Sequence, residues 1–505
     1  MRRHSTTRRT PQAQGTEGRD SRLKYSWTVL TVTTVGVLMA GLDTRIIIIG
    51  LPQVATALHA DAEQAVWFTQ AYILGSTVAL LLIGRITDIV GRVKIYTAGF
   101  VVFTLGSLLT GLSTSPVQVI AFRGLQGLGG AMLITNSASL IADATPSKNL
   151  GFAMGINQIA FRFGAMAGLT VSGIILSYLD WRALFYINVP IGIFGSIWAH
   201  RRLKEIARVE RGAPIDWTGF LAFVVFIVSF LLALTFGAYG ISEERLVYLL
   251  TGLSAASLVI FVAHERRTRY PLLDLRLMRI REFAGGVSAQ LLNSIAWGAV
   301  LLLLSLYFQL VVGLAPLDAG LRIIPIDIAF LLTGPISGKL SDRYGHMPFT
   351  TTGLALGSVS LFLFSTADAN TPYALMAAYM MLFGAGIGLF ASPNMSSIMG
   401  SVPEDRRGIA SAVRATFFQT GNVISVSLAV LVMTFAVPYQ VITSVIASAD
   451  IVIPESQRIL FSAGISTAYV WMAVLNAVAI IPSMLRGKKA VPKNLPPEHK
   501  YEPPT

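Results

Sequence analysis

Stretches of about 20 consecutive apolar residues, each long enough to cross a bilayer, recur from one end of this chain to the other. In hydrocarbon each backbone N–H and C=O must find a partner inside its own segment, so such runs fold as helices. Fourteen runs are legible: 27–50, 65–84, 95–113, 117–142, 151–177, 183–200, 217–237, 246–264, 283–312, 319–338, 349–366, 371–397, 408–436 and 461–485. The pattern predicts an all-α membrane protein with 14 transmembrane helices, not a soluble domain carrying one anchor. Charged residues make up only 13% of the chain, about half the usual share in soluble domains. Residues 1–26 are polar and basic, and the first apolar run is too long for a signal-peptide core, so no cleavable signal is expected.

The basic residues fall on one side of the predicted spans. Of 39 Lys and Arg, 31 lie in the tails and the even-numbered connections, among them Arg92, Lys148, Arg343, Arg406 and Arg407. By the positive-inside rule both termini are cytoplasmic. That topology, with anionic lipid, accounts for the net charge of +13, and nucleic acid is not needed to explain it. Trp27, Trp67, Trp181, Trp198 and Trp217 stand at predicted span ends, where interfacial belts form. The absence of cysteine excludes disulfides and thiolate metal sites. All six histidines lie in tails, loops or near span ends, so neither a buried histidine relay nor a metal or other cofactor is expected.

The connection after the second run, "GRITDIVGRVK", repeats as "GKLSDRYGHMP" after the tenth. Gly84, Asp88 and Gly91 map onto Gly338, Asp342 and Gly345 at one offset, and Arg92 follows the first set. A second pair, "ATPSKNLGFA" and "SVPEDRRGIA", agrees. Such repeats mark two homologous bundles. They divide the chain into a basic tail (1–26), a six-helix bundle (27–200), linkers with an inserted helix pair (201–282), a second six-helix bundle (283–485) and a tail (486–505). The inserted pair carries few polar residues and reads as a lipid-facing hairpin.

These segments resemble the major facilitator superfamily. The loop after the second span is similar to its loop signature, and "RGLQGLGGAM" to its fourth-span motif. "DWRALFYINVPIG" and "LDTRIIIIGLP" resemble signatures of its fourteen-span drug/proton antiporter branch. The resemblance covers roughly residues 25–485 and implies two six-helix bundles around a central cavity with rocking alternating access. Three of the motifs depart from the pattern. Arg45 and Ile48 replace a small polar residue and an Asn in the first span, Leu169 and Ser172 replace Pro and Gly in the fifth, and Ile89 replaces a basic residue in the loop, which implies a weaker charge latch there.

A charge near the bilayer centre costs about 2.5–3.5 kcal/mol on insertion scales, so each one calls for a partner. Six stand inside the runs and away from their ends: Asp43, Arg45, Arg123, Arg162, Asp327 and Arg414. Asp43 and Arg45 are two residues apart, a rotation of about 200°, and cannot face each other on a helix. The resemblance implies that Asp43 faces the cavity and that Arg123 is its partner in proton coupling. Arg45 is expected to snorkel outward. Arg162 and Arg414 either serve the cavity or reach for the cytoplasmic face, and Gln419 holds the place of Arg162 in the second repeat. Asp327 either serves the cavity or pairs with Arg322. If Arg45 and Arg162 are peripheral, Asp327 is free to meet a cation. If they line the cavity, they hold an anionic or zwitterionic head group.

The expected function is proton-coupled secondary transport across the cytoplasmic membrane by a monomer, exporting amphipathic small molecules. Alternatives are a transporter of anionic or lipid-like compounds, and a non-transporting receptor or scaffold on the same fold. No phosphate-binding loop follows a strand and no catalytic cluster stands out, so neither an ATP-driven pump nor an enzyme is expected.

Overall fold

The computed structural model describes residues 11–60, 62–206, 214–239, 244–268, 271–314, 316–437 and 455–486. The expectations for the basic tails therefore lie outside the described residues over 1–10 and 487–505, as do those for linker residues 207–213, 269 and 270. The described elements are all helical, and fourteen helices are long and apolar enough to span a membrane. They are α1 Lys24–Ile47, α2 Trp67–Val90, α3 Arg92–Gly111, α4 Pro116–Ala144, α5 Ser147–Tyr178, α6 Ala183–Arg202 and α7 Trp217–Leu234. The second half comprises α8 Glu244–Glu265, α9 Arg281–Val311, α10 Asp318–Tyr344, α11 His346–Phe364, α12 Tyr373–Gly400, α13 Glu404–Met433 and α14 Arg458–Met484.

Local chemistry explains where the helices turn and break. Gly91 (φ 111°) joins α2 to α3, and Gly345 (φ 90°) joins α10 to α11. Both adopt a backbone region that only glycine tolerates, which is why glycine closes both copies of the loop motif. α9 breaks at Gly298 and Ala299, and the freed Ala299 N–H donates to Ser425 Oγ at 2.8 Å. A break inside a bilayer needs such a replacement partner. α6 breaks at Ile187, just before Asn188.

The apolar core shows how the two bundles meet. On the side carrying the basic loops, one cluster runs through both, from Val32, Phe100 and Met154 to Phe283, Met399 and Val413. Towards the opposite side it gives way to two separate cores. One holds Leu42, Phe68, Val119 and Phe185, and the other holds Leu303, Phe330, Phe383 and Tyr469. The bundles are thus packed together at the basic end and apart beyond it.

In the inserted pair, α7 packs on α2 and α13, while α8 packs chiefly on α7. α8 turns Tyr248, Leu249, Val259 and Ile260 outward. His264 Nε2 lies 2.9 Å from Asp216 Oδ2 and ties the two ends of the hairpin. Trp181 departs from the interfacial belt expected of it. It is buried, with the Arg182 guanidinium 4.5 Å above its ring.

Candidate functional site

Asp43 lies inside the first bundle and has no exposed surface. Its Oδ2 accepts from Arg123 Nη1 at 2.7 Å. Its Oδ1 accepts from Gln126 Nε2 at 2.7 Å and from Asn188 Nδ2 at 3.0 Å. Ser107 Oγ accepts from both amides at 3.1 Å. Arg123 also donates to Phe68 O and Gln126 Oε1, and its guanidinium lies 4.7 Å from the Tyr72 ring centroid. Five helices, α1, α2, α3, α4 and α6, therefore meet at one carboxylate. The expectation that Asp43 faces the cavity needs correction, because the side chain is enclosed by its own bundle. Enclosure is what keeps so many donors on one carboxylate in a medium where an unpaired charge is costly.

Small residues make this packing possible. A Cβ on Gly124 or Gly127 of α4 would meet the α2 backbone, and one on Gly129 would strike the α3 backbone at Phe103. Small residues at such contacts let helix backbones approach closely.

Arg45 turns away from Asp43 towards the seam between the bundles. It is half-buried and interacts electrostatically with both Asp327 and Arg162. The expected outward snorkelling is not what the structure shows. Arg162 of α5 reaches across the seam to α10, where its Nη1 lies 3.5 Å from Asp327 Oδ1. The guanidinium lies 5.4 Å from the Trp297 ring and 4.9 Å from the Phe330 ring. Arg162 therefore reaches neither the lipid nor the cytoplasmic face. Asp327 is not free to meet a cation, and it does not pair with Arg322, which lies over Tyr373 instead. Arg414 of α13 is also buried, and its Nε has no hydrogen-bond partner among the described residues.

The second seam mirrors the first. Gln419 Nε2 of α13 donates to Ser76 Oγ of α2 at 3.4 Å. By the two repeat offsets, Gln419 corresponds to Arg162 and Ser76 to Phe330, so one pseudo-symmetric contact is a hydrogen bond and the other a cation–ring contact. Arg162 is eleven residues from Gly151, and Asp327 is eleven from Gly338. At 1.5 Å per residue this sets the layer about 17 Å above the basic-end contacts, near the middle of a 30 Å hydrocarbon core.

The loop motif closes the basic end. Asp342 Oδ1 accepts from Gly151 N at 2.8 Å, and its Oδ2 accepts from Phe152 N at 3.2 Å. In the other repeat Asp88 Oδ2 accepts from Ile409 N at 3.3 Å. Each carboxylate thus meets the first turn of a helix in the opposite bundle, where backbone N–H groups have no partner within the helix. Gly338 and Gly151 bring α10 and α5 into backbone contact, and Gly84 sits against Ala412 and Gly408. The charge latch does not depend on the residue at Ile89. Asp143 pairs with Arg92 of its own bundle and, at 2.9 Å, with Arg407 of the other. The hydrogen bonds and ion pairs between the bundles named above, with those of Ser139, Gln158 and Ser411, lie at the mid-membrane layer or on its basic side.

A measurable consequence follows for Asp88→Ala. Losing a cap of this kind costs about 0.5–2 kcal/mol. Turnover should fall by about two- to thirtyfold, at 1.4 kcal/mol per decade, while equilibrium substrate binding persists. Unchanged turnover would make the loop repeat a relic of duplication.

The sequence matches the Major Facilitator Superfamily over residues 33–426. The chain belongs to that superfamily. It is 30% identical to the riboflavin transporter RibZ of Clostridioides difficile, over 78% of this chain and 85% of that relative. It is 26% identical to the multidrug transporter MdtP of Bacillus subtilis, over 80% and 75%. With the tetracenomycin C resistance and export protein of Streptomyces glaucescens it shares 27% identity, over 78% and 74%. The fold matches the solved proton:xylose symporter XylE with a TM-score of 0.65 at 17% identity, covering 91% of this chain and 95% of that one. This major facilitator protein is a multi-pass membrane transporter, with multidrug transporters among its relatives.

Gln126 and Asn188 complete the shell around Asp43, yet neither stands out in the sequence. Both lie inside the segments that carry the resemblance, but an uncharged amide in an apolar run draws no attention beside an arginine. The clue is spacing, because Gln126 is three residues from Arg123 and shares its helix face. Trp297 and Phe330 give no comparable signal, since aromatic residues are common in every span.

Proposed function

We propose that this transporter is a proton-coupled exporter of amphipathic small molecules in the cell membrane, with both termini cytoplasmic. The observation that carries the reading is the buried carboxylate of Asp43, held by Arg123, Gln126 and Asn188 at the meeting point of five helices. Protonation of Asp43 removes the charge that holds Arg123, and the bundle must repack to satisfy the guanidinium. Such a site links proton binding to helix arrangement. The latches of Asp88 and Asp342 favour the arrangement closed at the cytoplasmic end. Release of the latches opens that end, which gives alternating access by rocking of two bundles. Relatives named for drug export support the outward direction. A non-transporting receptor has less support, because an inter-bundle ion pair and paired latches serve motion better than a static scaffold. The test uses liposomes containing only this chain. A pH gradient alone should drive accumulation of a fluorescent amphipath such as ethidium or fluorescein, and a protonophore should abolish it. Flux of both probes indifferent to the gradient would remove the proton from the account.

A further inference from the structure

The Arg162–Asp327 pair is built differently from the Asp43–Arg123 pair. Asp43 is enclosed and accepts three hydrogen bonds of 2.7–3.0 Å. Asp327 is held across the seam at 3.5 Å, and Arg162 is its one hydrogen-bonding or ion-pair partner among the described residues. Charge-assisted hydrogen bonds settle near 2.7–2.9 Å when geometry allows, so this pair is loose. It is reachable from the Arg162 side, where the side chain keeps 18% of its surface, while Asp327 is buried. A second guanidinium, Arg45, interacts with the same carboxylate and makes no hydrogen bond or ion pair among the described residues. Among the described residues two positive groups therefore share one negative group, which leaves one positive charge at the seam without a counter-ion.

The walls are aromatic. Trp297 of α9 and Phe330 of α10 both lie within cation–ring distance of the Arg162 guanidinium. A flat, aromatic ligand has the half-buried Trp297 ring to stack on and a guanidinium to face, with the buried Phe330 ring behind that guanidinium. The apolar cores of the two bundles are separate on the side away from the basic loops, which leaves the approach from that side unsealed by a common core.

We propose that Arg162, Arg45 and Asp327 form a substrate site for planar aromatic anions, in which the ligand's negative group displaces Asp327 from Arg162. Asp327 acts as a resident counter-ion that neutralises the seam when it is empty. The inference rests on the transporter reading and names the substrate class it handles. Arg162 comes from the first bundle, and Trp297 and Phe330 come from the second, so a ligand here touches both moving halves at once. The same arrangement disfavours cations, which would meet two guanidinium groups before reaching the carboxylate.

The experiment compares fluorescein and rhodamine 123, which share a planar xanthene and differ in charge, by fluorescence anisotropy on the purified full chain. No pH gradient is present, so failure here leaves the proton-coupled reading standing. Wild type should bind fluorescein more tightly than rhodamine 123. Arg162→Gln should weaken fluorescein at least tenfold and leave rhodamine 123 within twofold. Asp327→Asn should strengthen fluorescein binding severalfold, because the competing carboxylate is gone. If Arg162→Gln does not fold, Asp327→Asn decides alone. A rise in fluorescein affinity supports the site, and no change or a fall overturns it. Preference for rhodamine 123 that disappears in Asp327→Asn would also overturn it, as would fluorescein affinity indifferent to Arg162→Gln.

Discussion

Asp43→Asn is expected to reduce pH-gradient-driven accumulation to the level of protein-free liposomes while substrate exchange without a gradient continues. An amide has nearly the shape of the carboxylate and keeps one acceptor for Gln126 or Asn188, but it cannot take up and release a proton. Arg123 then loses its only described charged partner. Breaking a buried pair costs about 3–5 kcal/mol when one charge is left behind. Here the loss is smaller, because Arg123 still donates to Phe68 O and Gln126 Oε1 and still faces the Tyr72 ring. The variant should therefore fold, with a lowered melting temperature. Persistent accumulation in Asp43→Asn would show that another group carries the proton, and Asp327 would be examined next.

Gly338→Val should have the second largest effect, and it acts on motion. A Cβ at Gly338 strikes the carbonyl of Gly151, and a Cβ at Gly151 strikes the carbonyl of Gly338. Both obstacles are backbone, so no rotamer relieves them. Overpacking of this kind costs about 1–3 kcal/mol, and the cost falls only on the arrangement in which α10 touches α5. A penalty confined to one state shifts the equilibrium about five- to 150-fold away from closure at the basic end. Turnover should drop by a similar factor, and cysteines placed at the basic end should become more reactive. Gly345→Ala offers a contrast, since nothing lies within 4 Å of a Cβ there and only the positive φ opposes it. It should cost stability without shifting the balance of states. Wild-type turnover in Gly338→Val would separate the glycine contact from the transport cycle.

The fold was largely legible because the bilayer imposes one length and one secondary structure on every span. The boundaries at α9 and α13 fall within a few residues of the hydropathy runs for that reason. The break at Gly298 was not legible, because its compensation by Ser425 comes from a span more than a hundred residues away. The pairing of Asp43 with Arg123 followed from a resemblance of motifs. The fate of Arg162 and Asp327 could not follow from any motif, because the pair joins two bundles whose register along the seam is set by tertiary packing. The alternative with Arg162 at the periphery supposes that a lone arginine finds water more cheaply than a partner. The structure supplies a partner and two rings instead. Arg45 shows the converse: the 200° rotation from Asp43 was readable, but what lay in that direction was not.

On the proposed mechanism the protonation state of Asp43 sets which end of the molecule is closed. The chain has no cysteine, so two can be introduced and spin-labelled without background. Lys94 at the start of α3 and Asp405 at the start of α13 are exposed and stand on opposite bundles, beside the contact of Arg92 with the Glu404 carbonyl. Double electron–electron resonance between labels at Lys94→Cys and Asp405→Cys reads the width of the basic end. One short distance is expected when Asp43 is ionised, and a second, longer population should dominate in Asp43→Asn. Identical distance distributions in the two proteins would contradict the proposed mechanism.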